Sequence, residues 1–293
     1  MAARALLFAG LGVAALLAAH GARAEEMPVA KAIPLEAPAN EDVPAKADEG
    51  TQAKPAEATP PAAQKPEAAP KVPEAPPKAV ASLPKGFVHL ASIDASIVQD
   101  MRYSGVQNFT GTRVPGYEAA SCILAEPVAK ALSKVQAGLK ADGLTLVMLD
   151  CYRPARSVKA MVAAMAKRKG TNAIYHPRVP ATRLVAEGYL AARSGHSAGG
   201  TVDLTLARIG PDGKTERLAM GTIFDFFDPK SHTGAKGIDA MARANRDRLV
   251  KAMTAGGFAN YAREWWHFRF TAEPFKGRHF DFPVTAAPEA PKS

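Results

Sequence analysis

Two short stretches of this 293-residue sequence carry side chains that could bind a metal ion and activate water. The first, residues 194–203, places an imidazole, His196, and a carboxylate, Asp203, on either side of a glycine pair that favours a turn. The second, residues 264–267, reads Glu-Trp-Trp-His and adds another imidazole and another carboxylate. Two histidines and one aspartate are a natural ligand set for zinc with a fourth position open to water, and the glutamate can act as the base. The pattern predicts a hydrolytic zinc site.

The residues after the glycine pair alternate between apolar and polar side chains, which predicts a β-strand. Val202 and Leu204 would face the apolar layer, and Asp203 would point away from it. In the second stretch, residues three apart point to opposite faces of an ideal strand. Glu264 is therefore predicted to lie in a bend, with the strand beginning at about Trp266.

Each candidate ligand also has an ordinary structural interpretation. His196 alone could be a loop histidine with satisfied hydrogen bonds, and Asp203 alone could be a turn or cap acceptor. Residues 264–267 alone could form an aromatic core edge with a surface ion pair. Their joint presence favours the metal site, because half-buried strand faces that carry Asp and His are costly without a partner.

Four further side chains are candidates for substrate contacts or catalysis. Arg153 follows a predicted buried strand, so its guanidinium could reach a cleft or form a structural salt bridge with Asp150. Asp225 lies among phenylalanines, where a carboxylate needs a cation, either a substrate ammonium or a nearby Arg or Lys. Tyr103 and Ser194 are weaker candidates.

The elements that must position these residues interleave without regular βαβ repetition, which predicts an α+β fold in a single domain. A continuous apolar run predicts a buried strand over residues 144–149. Helices are predicted from residue 126 to the turn at Gly143, and over residues 155–169, 182–191 and 241–255.

The first 24 residues have the basic start, apolar run and A-x-A site of a secretory signal peptide. An uncleaved anchor is the alternative. Cleavage would leave no stable membrane anchor and would deliver a periplasmic or secreted protein. Residues 25–84, rich in Pro, Ala, Lys and Glu, predict a disordered linker, with a solvated leader favoured over a wall-spanning spacer. The folded domain is predicted over residues 85–284, and a flexible tail over 285–293.

The formal net charge of +9 could attract anionic cell wall or nucleic acid. The basic residues are scattered, however, and lack the aromatic interleaving of single-strand binders, so solubility is the favoured explanation and no nucleic-acid partner is predicted.

The only two cysteines, Cys122 and Cys151, could form a disulfide in an oxidising compartment or remain two buried thiols. Their spacing leaves both open.

Over roughly residues 93–283 the sequence resembles the D-alanyl-D-alanine dipeptidases of the M15 peptidase family. The matching motifs form an ordered set along the chain: Met101-Arg102-Tyr103, Asn108-Phe109-Thr110-Gly111, Asp150-Cys151-Tyr152-Arg153-Pro154, residues 194–206, Met220-Gly221, Phe224-Asp225-Phe226, Glu264-Trp265-Trp266-His267 and Phe280-Asp281-Phe282-Pro283. Thr201 stands where the superfamily motif commonly has alanine, which could alter packing but not ligation.

This resemblance implies a small central, mostly antiparallel sheet flanked by helices, as in DD-peptidases and Hedgehog domains. It implies one zinc ion per chain and assigns a role to each candidate residue. These roles are metal ligation by His196, Asp203 and His267, general base catalysis by Glu264, stabilisation of the tetrahedral intermediate by Arg153, and binding of the dipeptide termini by Tyr103, Ser194 and Asp225.

The activity implied by the resemblance is that of an exported zinc dipeptidase, which hydrolyses a small D,D-dipeptide, D-alanyl-D-alanine, to two D-alanine molecules. The alternative with the same chemistry is a zinc D,D-carboxypeptidase or endopeptidase on peptidoglycan stem peptides, with peptidoglycan as partner. A noncatalytic cell-wall-binding protein is the rival from another class. The presence of every ligand and of the base disfavours that rival.

Overall fold

The computed structural model describes residues 82–288 of the chain. The predicted signal peptide and nearly all of the predicted linker lie outside these residues, so those segments and the domain boundaries remain predictions. The helices are α1 (Leu90–Ile93), α2 (Glu126–Ala141), α3 (Ala155–Lys167) and α4 (Ala240–Ala255). The strands are β1 (Phe87–His89), β2 (Val98–Gln99), β3 (Ile123–Ala125), β4 (Leu144–Asp150), β5 (Thr201–Ile209), β6 (Thr215–Arg217), β7 (Phe258–Asn260) and β8 (His267–Phe270).

A mostly antiparallel sheet forms the centre of this region. Its strand order is β2-β4-β5-β8-β7, and β6 pairs with β5. Within residues 82–288, β2 and β4 form the one parallel pair of named strands. Strands β1 and β3 form a separate antiparallel pair. The predicted α+β fold with a mostly antiparallel sheet is confirmed.

The two faces of the sheet pack against different apolar clusters. All seven residues of β4 are buried, as expected of a strand covered on both sides. Leu146 packs into the main core with Val202 and Leu204, whereas Val147 belongs to a small apolar cluster outside that core. The alternation predicted for β5 therefore holds, and Asp203 points away from the main core.

Helix α2 begins with a proline in its first turn, where the missing N–H has no intrahelical partner to lose. It packs against β4, and α4 packs against β7. The turn after α2 uses Gly143 in the left-handed region, at φ 67°. No helix within residues 82–288 is long and apolar enough to cross a membrane. The predicted stripe of α2 is buried, at Val128, Leu132, Val135 and Leu139.

The prediction of a helix over residues 182–191 is wrong. A single 3-10 turn, Ala181–Arg183, is followed by non-helical turns. Gly188 adopts φ 78°, and the N–H groups of Tyr189 and Leu190 both donate to the carbonyl of Leu184. The turns bury Leu184, Tyr189 and Leu190 and leave Val185 exposed, so a folded loop buries apolar side chains that the sequence pattern assigned to a helix.

Candidate active site

Three candidate metal ligands converge where β5 and β8 pair. Asp203 in β5 lies opposite His267 at the start of β8, with Oδ1 and Nδ1 2.9 Å apart. His196 approaches from a 3-10 turn, Gly195–Ala198. Its Nε2 lies 3.4 Å from Asp203 Oδ2 and 3.4 Å from His267 Nδ1. The structure therefore brings the three predicted ligands within reach of one ion.

The turn that carries His196 depends on its flanking residues. Ser194 precedes the turn, and its Oγ accepts a hydrogen bond from the His196 N–H at 3.3 Å. Gly199 ends the turn at φ 70°, and a Cβ at this position would clash with the ring of Phe87. Ser194, predicted to contact substrate, thus also has a structural contact inside the protein.

A backbone carbonyl orients the imidazole of His196. Its Nδ1 lies 2.8 Å from the carbonyl oxygen of Cys151, which can only accept, so Nδ1 carries the proton. The lone pair of Nε2 then faces Asp203 and His267, as metal binding requires. Cys151 forms a disulfide with Cys122, with their Cα atoms 5.3 Å apart. The structure therefore pairs the two cysteines, which the sequence left as either bonded or free.

Arg153 forms a buried salt bridge and also reaches the ligand cluster. Its Nε donates to Asp150 Oδ2 at 2.9 Å, and its Nη2 lies 2.8 Å from the same oxygen. Nη2 is also 3.4 Å from Asp203 Oδ2, and the guanidinium carbon lies 5.1 Å from the centre of the Tyr103 ring. Tyr117 donates its hydroxyl to Asp150 Oδ1 at 2.7 Å. Both interpretations of Arg153 are thus compatible, since Asp150 anchors a guanidinium that borders the candidate metal ligands.

Burial and neighbouring charges act in opposite directions on these carboxylates. Burial raises the pKa of Asp150, although the Arg153 guanidinium lowers it. Burial would also raise the pKa of Asp203, but the two neighbouring imidazoles hold it far below its usual range. Sequence reasoning missed Tyr117, because nothing local marks a tyrosine 33 positions before its carboxylate partner.

Glu264 lies in the turn before β8, in the predicted bend. The strand begins at His267, one residue later than predicted. The carboxylate is buried, with Oε2 3.6 Å from His267 Nδ1. Burial raises the pKa of Glu264 well above its ordinary value, and the charges of Asp203 and Asp225 act in the same direction.

Tyr103 and Asp225 meet across the site. The Tyr103 hydroxyl lies 3.1 and 3.0 Å from the two carboxylate oxygens of Asp225. Asp225 adopts φ 61°, a conformation that costs energy for a residue other than glycine. Within residues 82–288, no Arg or Lys forms a salt bridge with this buried carboxylate. Burial and the charge of Asp203 raise the pKa of Asp225 well above its usual value.

The chain is similar to known D-alanyl-D-alanine dipeptidases. The dipeptidase of Enterococcus faecium is 37% identical over 201 residues, covering 68% of this chain and 98% of that protein. The dipeptidase of Streptomyces coelicolor is 36% identical over 200 residues, with the same shares of both chains. A solved structure of VanYB in complex with D-alanine-D-alanine is 16% identical to this chain, and the match covers 53% of this chain and 76% of that one. Its TM-score is 0.28, too low to indicate a shared fold.

A family model gives the broader classification. The model of the M15 peptidases, described as D-ala-D-ala dipeptidase, matches residues 84–285. This match covers more than half of the chain and includes all of the candidate site residues. The chain therefore belongs to the D-alanyl-D-alanine dipeptidase family of M15 peptidases.

Proposed function

We propose that this protein is an exported zinc dipeptidase that hydrolyses D-alanyl-D-alanine to two D-alanine molecules. One observation carries the proposal: the ligand atoms of His196, Asp203 and His267 converge beside a buried carboxylate, Glu264, and a buried guanidinium, Arg153. The substrate is supported by the names of the relatives. Export is supported by the signal-peptide features of the first 24 residues.

The donor atoms fit a zinc ion. Tetrahedral zinc with bonds of about 2.0–2.1 Å holds its ligand atoms about 3.4 Å apart. Here His267 Nδ1 lies 2.9 Å from Asp203 Oδ1, His196 Nε2 lies 3.4 Å from Asp203 Oδ2, and the two imidazole nitrogens are 3.4 Å apart. With one ligand atom from each residue, the three atoms all lie within 4.8 Å of one another, close enough to bind one ion. Three protein ligands that leave a fourth position open are typical of catalytic zinc. The proposal is one such ion per chain. A zinc ion held by His196, Asp203 and His267 would supply Lewis acidity toward a substrate carbonyl and toward water.

Glu264 is suited to move protons. A general base must be unprotonated at the start and must hold the proton long enough to pass it to the leaving amine. The raised pKa of Glu264 strengthens its hold on that proton, and the positive charge of a bound zinc ion would favour the unprotonated carboxylate needed at the start. Its position at the edge of the ligand cluster, 3.6 Å from His267 Nδ1, puts it next to the place where water would be activated. We therefore assign proton transfer to Glu264.

Arg153 is suited to stabilise negative charge on the substrate oxygen. Because Asp150 already fixes the guanidinium, little reorganisation is needed when the charge develops. The Arg153 side chain is 11% exposed, so a substrate oxygen could reach the guanidinium. We assign oxyanion stabilisation to this residue.

The termini of the dipeptide have complementary groups at the site. Asp225 is a buried carboxylate that accepts a hydrogen bond from the neutral hydroxyl of Tyr103. A substrate ammonium would therefore supply the positive charge that this carboxylate lacks. The hydroxyl of Ser194 borders the ligand turn and is proposed to bind the other terminus. A site with fixed partners for both ends favours a dipeptide over a longer chain.

The test combines metal content with turnover. Purified protein without its predicted signal peptide should contain about one zinc per chain, release D-alanine from the dipeptide, stop with a chelator and recover with zinc. Glu264→Gln should keep the metal and lose about 10²- to 10⁴-fold in kcat. A Glu264→Gln protein with bound zinc and undiminished kcat would refute the assigned mechanism.

Substrate length separates the remaining alternatives. A stem pentapeptide cleaved faster than the free dipeptide would replace the dipeptidase by a D,D-carboxypeptidase or endopeptidase. Retention on peptidoglycan without turnover of either substrate, in the presence of zinc, would support a noncatalytic wall-binding protein instead.

A further inference from the structure

We infer that Asn260 is a positioning residue, whose side-chain amide holds the turn carrying the candidate base Glu264 and the candidate ligand His267, and that Thr233 fixes this amide. The inference rests on the proposed function, because the roles of Glu264 and His267 come from it. Neither Asn260 nor Thr233 belongs to the motifs recognised in the sequence.

The turn links the last residue of β7, Asn260, to the first residue of β8, His267. Three backbone hydrogen bonds shape it. The Tyr261 N–H donates to the His267 carbonyl at 2.9 Å, the Glu264 N–H donates to the Tyr261 carbonyl at 2.9 Å, and the His267 N–H donates to the Glu264 carbonyl at 3.2 Å. The carbonyls of Glu264 and His267 each accept one of these bonds and keep a second lone pair that can accept from a further donor.

The amide of Asn260 supplies that donor. Its Nδ2 donates to the carbonyl oxygen of Glu264 at 3.1 Å and to that of His267 at 3.0 Å. Its Oδ1 accepts the hydroxyl hydrogen of Thr233 at 2.6 Å. The amide orientation is unambiguous because both backbone partners can only accept, so the nitrogen must face them.

Thr233 connects this amide to a separate part of the chain. It follows the 3-10 turn Pro229–Ser231, and its own N–H donates to the carbonyl of Ala262 at 2.9 Å. The residue thus contacts the turn twice, once through its backbone and once through Asn260.

Glu264 depends on this support more than the other site residues do. His196, Asp203 and Arg153 have side-chain hydrogen bonds to protein groups. Among residues 82–288, no hydrogen bond to the Glu264 carboxylate is found, so the direction of this side chain follows its backbone. Because one amide binds the carbonyls of Glu264 and His267, its loss would displace the base and a ligand together. Displacements of this kind reduce catalysis even when the fold survives.

The experiment compares four variants with the wild type. Asn260→Ala removes all three hydrogen bonds, Thr233→Val removes the hydroxyl, and Thr233→Ser keeps it. Thr271→Val is the matched control, because the Thr271 hydroxyl donates to the Gly257 carbonyl at 2.8 Å at the other end of the same hairpin. Each protein is assayed for kcat and KM with D-alanyl-D-alanine, zinc affinity by chelator competition, the visible spectrum with cobalt(II), and melting temperature.

Asn260→Ala should lose about 10- to 100-fold in kcat or in zinc affinity, the range typical of residues that support metal ligands, with KM changed less. Its cobalt(II) spectrum should differ from that of the wild type. Thr233→Val should show the same changes to a smaller extent, and Thr233→Ser should restore wild-type values. Thr271→Val should lower only the melting temperature.

Unchanged kcat, zinc affinity and cobalt(II) spectrum in Asn260→Ala would overturn the inference while the proposed function stands. If Asn260→Ala does not fold, the Thr233→Val and Thr233→Ser pair decides on the same readouts. Wild-type protein that binds zinc without cleaving the dipeptide would overturn the proposed function alone, because the zinc affinities would still decide the role of Asn260. Wild-type protein that binds no zinc would overturn both.

Discussion

The carbonyl oxygen of Cys151 lies 2.8 Å from Nδ1 of His196, so a half-cystine orients a candidate metal ligand. Cys151 directly follows β4, and its partner Cys122 directly precedes β3. The disulfide therefore limits the movement of the carbonyl that sets the tautomer of the imidazole. Stability and metal binding should be coupled through this bond.

Removing the disulfide should lower both stability and zinc affinity. Closing a loop of 29 residues contributes roughly 3 to 4 kcal/mol to the free energy of unfolding in the chain-entropy estimate. The Cys122→Ala/Cys151→Ala variant should lose about this amount in urea unfolding. It should also bind zinc more weakly, because the Cys151 carbonyl is less restrained. Reductant should weaken zinc binding to the wild type and leave the variant unaffected; equal zinc affinity in all samples would contradict the coupling.

Arg153→Ala should lower kcat by about 10² to 10³, as expected when a donor to a developing oxyanion is lost. Arg153→Lys should recover only part of this, because an ammonium cannot contact Asp150 through two nitrogens while facing the substrate. The measurement is steady-state kinetics on the dipeptide, with zinc content determined for each protein. A variant that loses zinc but regains full kcat on zinc addition would show that Arg153 acts on ligation alone.

The parts of this fold that follow from local periodicity were predictable. The alternation around Val202 and Leu204 placed Asp203 on the opposite face of β5, and the three-residue spacing to His267 placed Glu264 in a bend. In each case the evidence lies within a few neighbouring positions. The predicted geometry therefore needed no knowledge of distant contacts.

The supporting contacts were not predictable, because they join residues far apart in sequence. Asp150 and Tyr117 are 33 positions apart, and His196 and the Cys151 carbonyl are 45 apart. No spacing rule links such pairs. The wrong prediction of a helix over residues 182–191 has a different origin, since turns around Gly188 bury Leu184, Tyr189 and Leu190 without a helix.

The stability of the loop that precedes Thr233 should depend on pH. Hydrogen bonds from Arg178 hold the pKa of Asp228 below its usual value, and Asp228 also accepts the Lys230 N–H. A lowered folded-state pKa gives stabilisation that is fully present above the unfolded-state pKa, about 3.9, and is lost as pH falls through the folded-state value. Arg178→Ala should therefore be less stable than the wild type at neutral pH, and the difference should shrink below about pH 4.

Urea unfolding between pH 2.5 and 7 measures this difference. The control is the same arginine substitution in an Asp228→Asn background, where its effect should not change with pH. A difference between wild type and Arg178→Ala that stays constant down to pH 2.5 would show that the ion pair does not carry the effect.

The pair formed by Tyr103 and Asp225 should control recognition of the substrate amino group. If Asp225 binds the ammonium, Asp225→Asn should raise KM for D-alanyl-D-alanine by about 10- to 100-fold, the equivalent of losing one charged hydrogen bond of 1.5–3 kcal/mol. Tyr103→Phe leaves the carboxylate charge in place and should have a smaller effect. The decisive comparison uses the N-acetylated dipeptide, which has no ammonium. Wild-type protein should strongly prefer the free dipeptide, and Asp225→Asn should lose most of that preference; an unchanged preference would place the ammonium elsewhere.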